Sequence, residues 1–318
     1  MTVQIINCYG KKRSLFREPL SRSLALNRTY RKFVASHFDL DDPPLFGHVQ
    51  VETSNYCSFD CPFCPVNRNA NKRGRHKLMP DALVFKIAKE LGELDFEGKL
   101  SVYNNNEPLL DRRICRIIKT FRRLVPKATI VLMTNGTALN EKKTTELARS
   151  GLDHLIVDNY SDTLELAGNL KRLVENVNRG NIDIDEMNFK ILLRKKNEIL
   201  SNRAGNAPNK TVPDAGYKKL FCVYPFVQFN INPDGQATIC CYDAFYENVL
   251  GEVKKNKIID VWRNQKYRKT RQKILKSRRT LVPCFKCDFN GVFSESNKKN
   301  INFSILNNRV VWKKVPHV

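Results

Sequence analysis

Cys57-Ser-Phe-Asp-Cys61-Pro-Phe63-Cys64, following closely on His48-Val-Gln-Val-Glu-Thr-Ser54, is the stretch from which the rest of this chain is read. Residues 48–54 read as a short strand, and the cysteines come next in a loop with C-x3-C-x2-C spacing. Three thiolates within eight residues can hold three irons of a [4Fe–4S] cube. The fourth iron then keeps an open coordination position, which lets a cluster act as a catalyst instead of a wire. The same thiols have a second reading, a structural zinc held by Cys57, Cys61, Cys64 and His76. Zinc sites usually come as two short Cys/His pairs with longer loops between, a pattern that this run lacks.

Working outward, apolar strands alternate with amphipathic helical stretches from residue 48 to about 196. The strands are expected at 48–54, 99–104, 128–134, 154–159 and 188–194, and the helices near 80–94, 111–124, 140–149 and 162–178. Pro80 stands at a helix start, where its missing N–H costs nothing. Such alternation predicts an α/β fold of parallel β/α units, five of them clear. Residues 1–46 are basic, without a clear period, and read as an arm; 197–216, rich in Asn, Gly, Pro and Lys, read as a linker. An apolar hairpin follows, 227–232 and 236–240 around Pro233-Asp-Gly235, then a basic helix at about 258–279.

At 318 residues with 42% hydrophobic content, the chain can bury one large core and a smaller satellite. No apolar run approaches the roughly 18 residues of a membrane span. The segment Met1–Cys8 lacks the pattern of a secretory signal. Ten cysteines without such a signal point to thiols kept reduced for metal, and so to the cytoplasm. The net charge is +23; residues 1–35 contribute +7 and residues 254–279 contribute +11. Patches of this kind attract phosphates, nucleic acid, acidic peptides or anionic membrane surfaces, or are simply a solvated lysine-rich face.

Cys222, Cys240, Cys284 and Cys287 supply four more thiolates, enough to enclose a second [4Fe–4S] cluster or a structural zinc, which spacing alone does not separate. The first motif, down to Phe63 before its third cysteine, resembles the signature of the radical S-adenosylmethionine (radical SAM) superfamily. The order Cys222, Gly235-x4-Cys240, Gly251-Glu-Val253, Ile259-Asp-Val-Trp262-Arg-Asn264, Cys284-x2-Cys287 resembles the auxiliary-cluster domain called SPASM. No cysteine follows Cys287, which matches the shortened "twitch" form with one auxiliary cluster. Cys240 fits the Gly-x4-Cys spacing better than Cys241 does. The resemblance implies a partial (β/α)6 barrel at about 47–205, an auxiliary domain at 206–295 and a tail at 296–318.

It also implies that Cys57, Cys61 and Cys64 are catalytic, holding the cluster whose open iron binds the methionine part of S-adenosylmethionine. Phe63 is expected against the adenine. Asn104-Asn105-Asn106-Glu107 stands where the family has Gly-Gly-Glu, which assigns Asn106 and Glu107 to the methionine amino group, with asparagines in place of both glycines. Thr134 and Asn135 resemble the ribose-side segment, with a plain strand-to-helix turn as the other reading. Arg194 is expected to clamp the carboxylate, or to be a surface arginine beside Lys195 and Lys196. Asn159 is expected to face the site from the end of its strand. Cys241 is a possible hydrogen-atom donor, and Cys8 and Cys115 read as ordinary buried thiols.

The activity implied is cleavage of S-adenosylmethionine to a 5′-deoxyadenosyl radical that takes a hydrogen atom from a substrate. An auxiliary cluster would assist oxidation, as in twitch dehydrogenases that turn an aminocyclitol alcohol into a ketone or SPASM enzymes that modify peptides. A flavodoxin or ferredoxin would donate electrons, and the substrate would be a small anionic molecule or a peptide. RNA modification suits the charge, but no aromatic residues interleave the basic stretches. A non-catalytic zinc protein is the third reading.

Overall fold

The computed structural model describes residues 2–8, 20–68, 70–210, 220–293 and 301–313. The basic residues Lys11, Lys12, Arg13 and Arg17 of the expected arm and residues 211–216 of the expected linker lie outside them. In chain order the elements are β1 (Gln4–Asn7), α1 (Leu20–His37), β2 (His48–Val51), α2 (Pro65–Arg68), α3 (Ala70–Arg73), α4 (Asp81–Glu93) and β3 (Lys99–Ser101). Then come α5 (Ile114–Leu124), β4 (Thr129–Thr134), α6 (Glu141–Arg149), β5 (His154–Tyr160), α7 (Gly168–Asn178) and β6 (Asn188–Arg194). The C-terminal part holds α8 (Tyr224–Val227), β7 (Gln228–Ile231), β8 (Gln236–Thr238), β9 (Val249–Glu252), α9 (Ile258–Arg263), α10 (Gln265–Lys276), β10 (Phe303–Leu306) and β11 (Arg309–Trp312).

β2 to β6 pair in sequence order, all parallel, with α4 to α7 as the crossovers. This is the expected α/β architecture, an open sheet forming a partial barrel. One face of each strand enters the hydrophobic core: Val49 and Val51, Leu100 and Val102, Ile130 and Leu132, Leu155 and Val157. Each such buried aliphatic side chain is worth about 1.5–3 kcal/mol. The alternate positions therefore point to the other, inner face. Among the described residues no helix is long and apolar enough to cross a membrane.

The structure corrects several expectations. The place beside β6 is filled by β1, from the segment read as an arm: Gln4 to Asn7 pair in parallel with Lys190 to Leu193. Next in that segment, α1 buries Asn27, Tyr30, Val34 and the nearby Phe38, a helical stripe whose first position is polar. Asn27 satisfies buried backbone instead, donating to Phe221 O and Asn290 O (2.8 Å each) and accepting from Phe221 N (3.1 Å). The hairpin β7–β8 does not stand apart, since β7 pairs in parallel with β2 and extends the same sheet. The basic helix is two helices, because Asn264 leaves the helical conformation and caps α10 by accepting from Tyr267 N at 2.8 Å. The expected linker is partly core: Ser201, Asn202 and Ala204 are buried, and Asn202 bonds to Asp288 and Lys286.

Candidate functional site

The three-cysteine loop leaves β2 at its C-terminal end and is pinned from behind. Asn55 donates to Arg73 O and Arg75 O (2.9 Å each) and accepts from Lys77 N, so the returning chain closes under the loop. Cys64 N–H donates to Cys61 O at 2.9 Å, a tight turn, and Phe59 N–H points at Cys57 Sγ (3.4 Å). Asn135, after β4, reaches across to Ser58 Oγ at 3.1 Å and to Cys57 Sγ at 3.9 Å. Its neighbour Gly136 turns the chain at φ 77°, where a Cβ would also strike Val157.

The three thiols act on one another electrostatically, and all are only half-buried. Burial pushes Cys57 up to about 11 and Cys61 up to about 12. A bound metal centre would supply positive charge that favours the thiolate forms, with Cys57, Cys61 and Cys64 as the residues that would hold it. The donor set fits a cluster with one face open to solvent. His76, the fourth ligand of the zinc alternative, stacks on Tyr56 (4.6 Å between centroids). Among the described residues no three Cys, His, Asp or Glu side chains form a single-ion site.

Cys222, Cys240, Cys284 and Cys287 are 6–8% exposed, a closed counterpart to the open loop. Cys222 precedes α8, Cys240 follows β8, and Cys284 and Cys287 flank one turn. Burial, with Cys241, Cys284, Cys222 and Cys287 adding, pushes Cys240 well above the usual range. The buried Arg278 guanidinium opposes this at Cys222, Cys284 and Cys287. Cys241 lies beside this set: its thiol is acted on by Arg203 and Cys287 and is hydrogen-bonded by Gln228, on the inner face of the sheet.

A family model for the radical SAM superfamily matches residues 51–161, and one for an iron–sulfur cluster-binding domain, SPASM, matches residues 222–288. The chain belongs to the radical SAM superfamily. An S-adenosyl-L-methionine-dependent 2-deoxy-scyllo-inosamine dehydrogenase of Niallia circulans is 25% identical over 235 residues, 74% of this chain and 89% of that enzyme. The structure of BtrN in complex with AdoMet and 2-DOIA aligns with a TM-score of 0.66 at 25% identity, over 81% of this chain and 98% of BtrN. BtrN in an open conformation gives 0.57 at 20% identity, over 79% and 99%. This radical SAM enzyme accordingly uses [4Fe–4S] clusters and S-adenosylmethionine.

Around the radical SAM loop the predicted side chains fall into two groups. Glu107 is buried and ties two strand ends together, accepting from Leu109 N (3.0 Å), Thr134 Oγ1 (2.6 Å) and Asn135 N (2.7 Å). Burial raises its carboxyl above the usual range, against those three bonds. Asn106 bonds Ser54 Oγ and Asn104 N. Phe63 is buried against Tyr160 (5.2 Å) beside the cysteines. Arg194 faces inward and pairs with Asp158 (2.7 Å) and Glu198 (3.3 Å).

Asn159 is a correction. It lies with Leu155 and Val157 on the helix side, where it donates to Glu165 O (2.9 Å) and accepts from Ala167 N (3.0 Å). Its neighbours Asp158 and Tyr160 take the inner face, and Asp158 acts on Cys61. Sequence reading also missed the inner-face side chains His48, Gln50, Glu52, Lys99, Ser101 and Asn230, all buried. The available signal was polar residues alternating with β-branched and aromatic ones in 48–52 and 228–231.

Proposed function

We propose that this radical SAM enzyme is a dehydrogenase that oxidises a C–H/O–H carbon of a small hydroxylated molecule, of the aminocyclitol or sugar class. The observation that carries this reading is the polar inner face between the two cysteine sites. Asp158 acts on Cys61, Tyr103 is acted on by both Asp158 and Cys241, and Cys241 by Cys287, so the groups link one site to the other. On that face His48 Nε2 and Ser101 Oγ bond at 2.9 Å, and Ser101 also bonds Tyr103. Both amide atoms of Asn230 are buried without a hydrogen-bond partner among the described residues. A buried amide left unmet costs about 1–3 kcal/mol, and a substrate hydroxyl would meet it.

Cys57, Cys61 and Cys64 would hold the cluster that splits S-adenosylmethionine, and Cys222, Cys240, Cys284 and Cys287 one that takes up the second electron of the oxidation. Phe63, Asn106, Glu107, Thr134 and Asn135 shape the S-adenosylmethionine side, Glu107 by fixing Asn135 and Arg194 by fixing Asp158. The hydroxyl proton has two acceptors on the inner face: His48, and Lys99, whose amine burial lowers to about 7. In this reading residues 47–205 are the radical core and 206–295 the auxiliary domain, a flavodoxin or ferredoxin supplies electrons, and the protein works in the cytoplasm. The relatives named above support the dehydrogenase class over peptide modification.

Anaerobic turnover with C-deuterated aminocyclitols and sugar alcohols tests it: deuterium should appear in 5′-deoxyadenosine, with a ketone formed in step. Cys61→Ala should lose 5′-deoxyadenosine altogether, with about four irons fewer per chain. Cys284→Ala should still cleave S-adenosylmethionine while losing the ketone. Ketone formation by Cys284→Ala at the wild-type rate would overturn the reading.

A further inference from the structure

We infer that the outer face of α10 is the docking surface for a small acidic electron-carrier protein that serves the four-thiolate pocket. The inference rests on the function proposed above, since only a redox pocket needs such a visitor. Lys266, Lys269, Lys273 and Lys276 recur at helical spacing (i, i+3, i+7, i+10), and all four are exposed. Two arginines nearby are neutralised, Arg263 by Asp42 (2.7 Å) and Arg268 by Asp41 (2.8 Å). The four lysines have no ion-pair partner among the described residues.

The opposite face of the same helix reaches the thiols. Tyr267 is fully buried and is acted on by Cys240. Two residues past the helix end, buried Arg278 donates to Leu220 O (3.0 Å) and Phe289 O (2.8 Å), each two residues from a thiol, Cys222 and Cys287, and it acts on Cys222, Cys284 and Cys287. One helix, about 10–12 Å across with its side chains, thus separates the lysine stripe from the candidate cluster site. A row of like charges over a buried redox site steers an oppositely charged carrier to the point of shortest transfer. Nucleic acid is the poorer occupant, because Trp262 and Tyr267 are buried and leave no exposed ring along the stripe for a base to stack on.

The test uses anaerobically purified holoenzyme and oxidised flavodoxin, a flavoprotein of negative net charge, as the probe. Binding is measured by biolayer interferometry between roughly 50 and 200 mM NaCl. Wild-type affinity should fall as salt rises, and the K266E/K269E/K273E/K276E variant should bind about tenfold more weakly or worse. Zero-length carbodiimide cross-links should join flavodoxin carboxylates to Lys266–Lys276. The variant's thermal unfolding and its dithionite-driven formation of 5′-deoxyadenosine should match wild type, which separates lost docking from lost folding. Equal affinity in the variant, cross-links elsewhere, or displacement of flavodoxin by an equimolar single-stranded RNA would each overturn the inference. A wild type that binds flavodoxin through the stripe yet forms no ketone would instead count against the dehydrogenase reading.

Discussion

Lys99 is 1% exposed on the inner face of β3, opposite His48 in the register. Burial lowers its amine from 10.5 to about 7. Between those values the unfolded chain carries a proton that the folded chain has released, so stability must rise with pH across that window. Urea unfolding should therefore show wild type gaining about 2–3 kcal/mol from pH 7.5 to 9.5 relative to Lys99→Met, one pH unit being worth about 1.4 kcal/mol. Parallel curves for the two proteins would show that Lys99 stays charged in the fold. At this scale the sequence was partly legible. The cysteines, Glu107, Thr134 and Asn135 could be placed because a strand end must deliver them to one rim. Asn159 could not, because a two-residue period separates two faces without saying which is inner. The inner polar set went unread for the same reason: polar residues in a strand usually mark its wet side, and here they line a buried one.

β4, β5 and β6 were legible nearly to their ends, because each carries an unbroken apolar face, whereas β2 and β3 stop at Val51 and Ser101, three residues short of the expected 54 and 104. α9 and α10 were not told apart, since Asn264 interrupts a run whose composition stays basic throughout. Asn264 works at both ends of the break, capping Tyr267 N and donating to Leu250 O at 2.8 Å. Asn264→Ala should cost about 1–2 kcal/mol in chemical unfolding, with the larger loss of helical circular dichroism near the melting transition. A change within error would mean that packing alone sets the break. α1 escaped notice for a related reason: its buried stripe opens with Asn27, whose worth lies in the carbonyls it satisfies.

Across the whole molecule, one buried contact joins the radical loop, the sheet and the auxiliary part. Arg73, at the end of α3, pairs with Glu52 after β2 and with Tyr246 beyond β8, and it bonds Asn105 O after β3. Both charged side chains are at most 1% exposed. Arg73→Met should cost about 3–5 kcal/mol by leaving the Glu52 charge unmet, and adding Glu52→Gln should recover part of that. Additive losses in denaturant midpoints would show that the pair is uncoupled. Such contacts are invisible in a sequence, since nothing local joins residues 52, 73 and 246. The parallel pairing of β1 with β6 is equally nonlocal, and it bears on birth at the ribosome. Gln4 waits for Lys190; at roughly 5–20 residues per second, translation leaves the first strand idle for about 10–40 s. For that interval the nascent chain carries an unclaimed edge, a natural client for whatever chaperone waits at the exit tunnel.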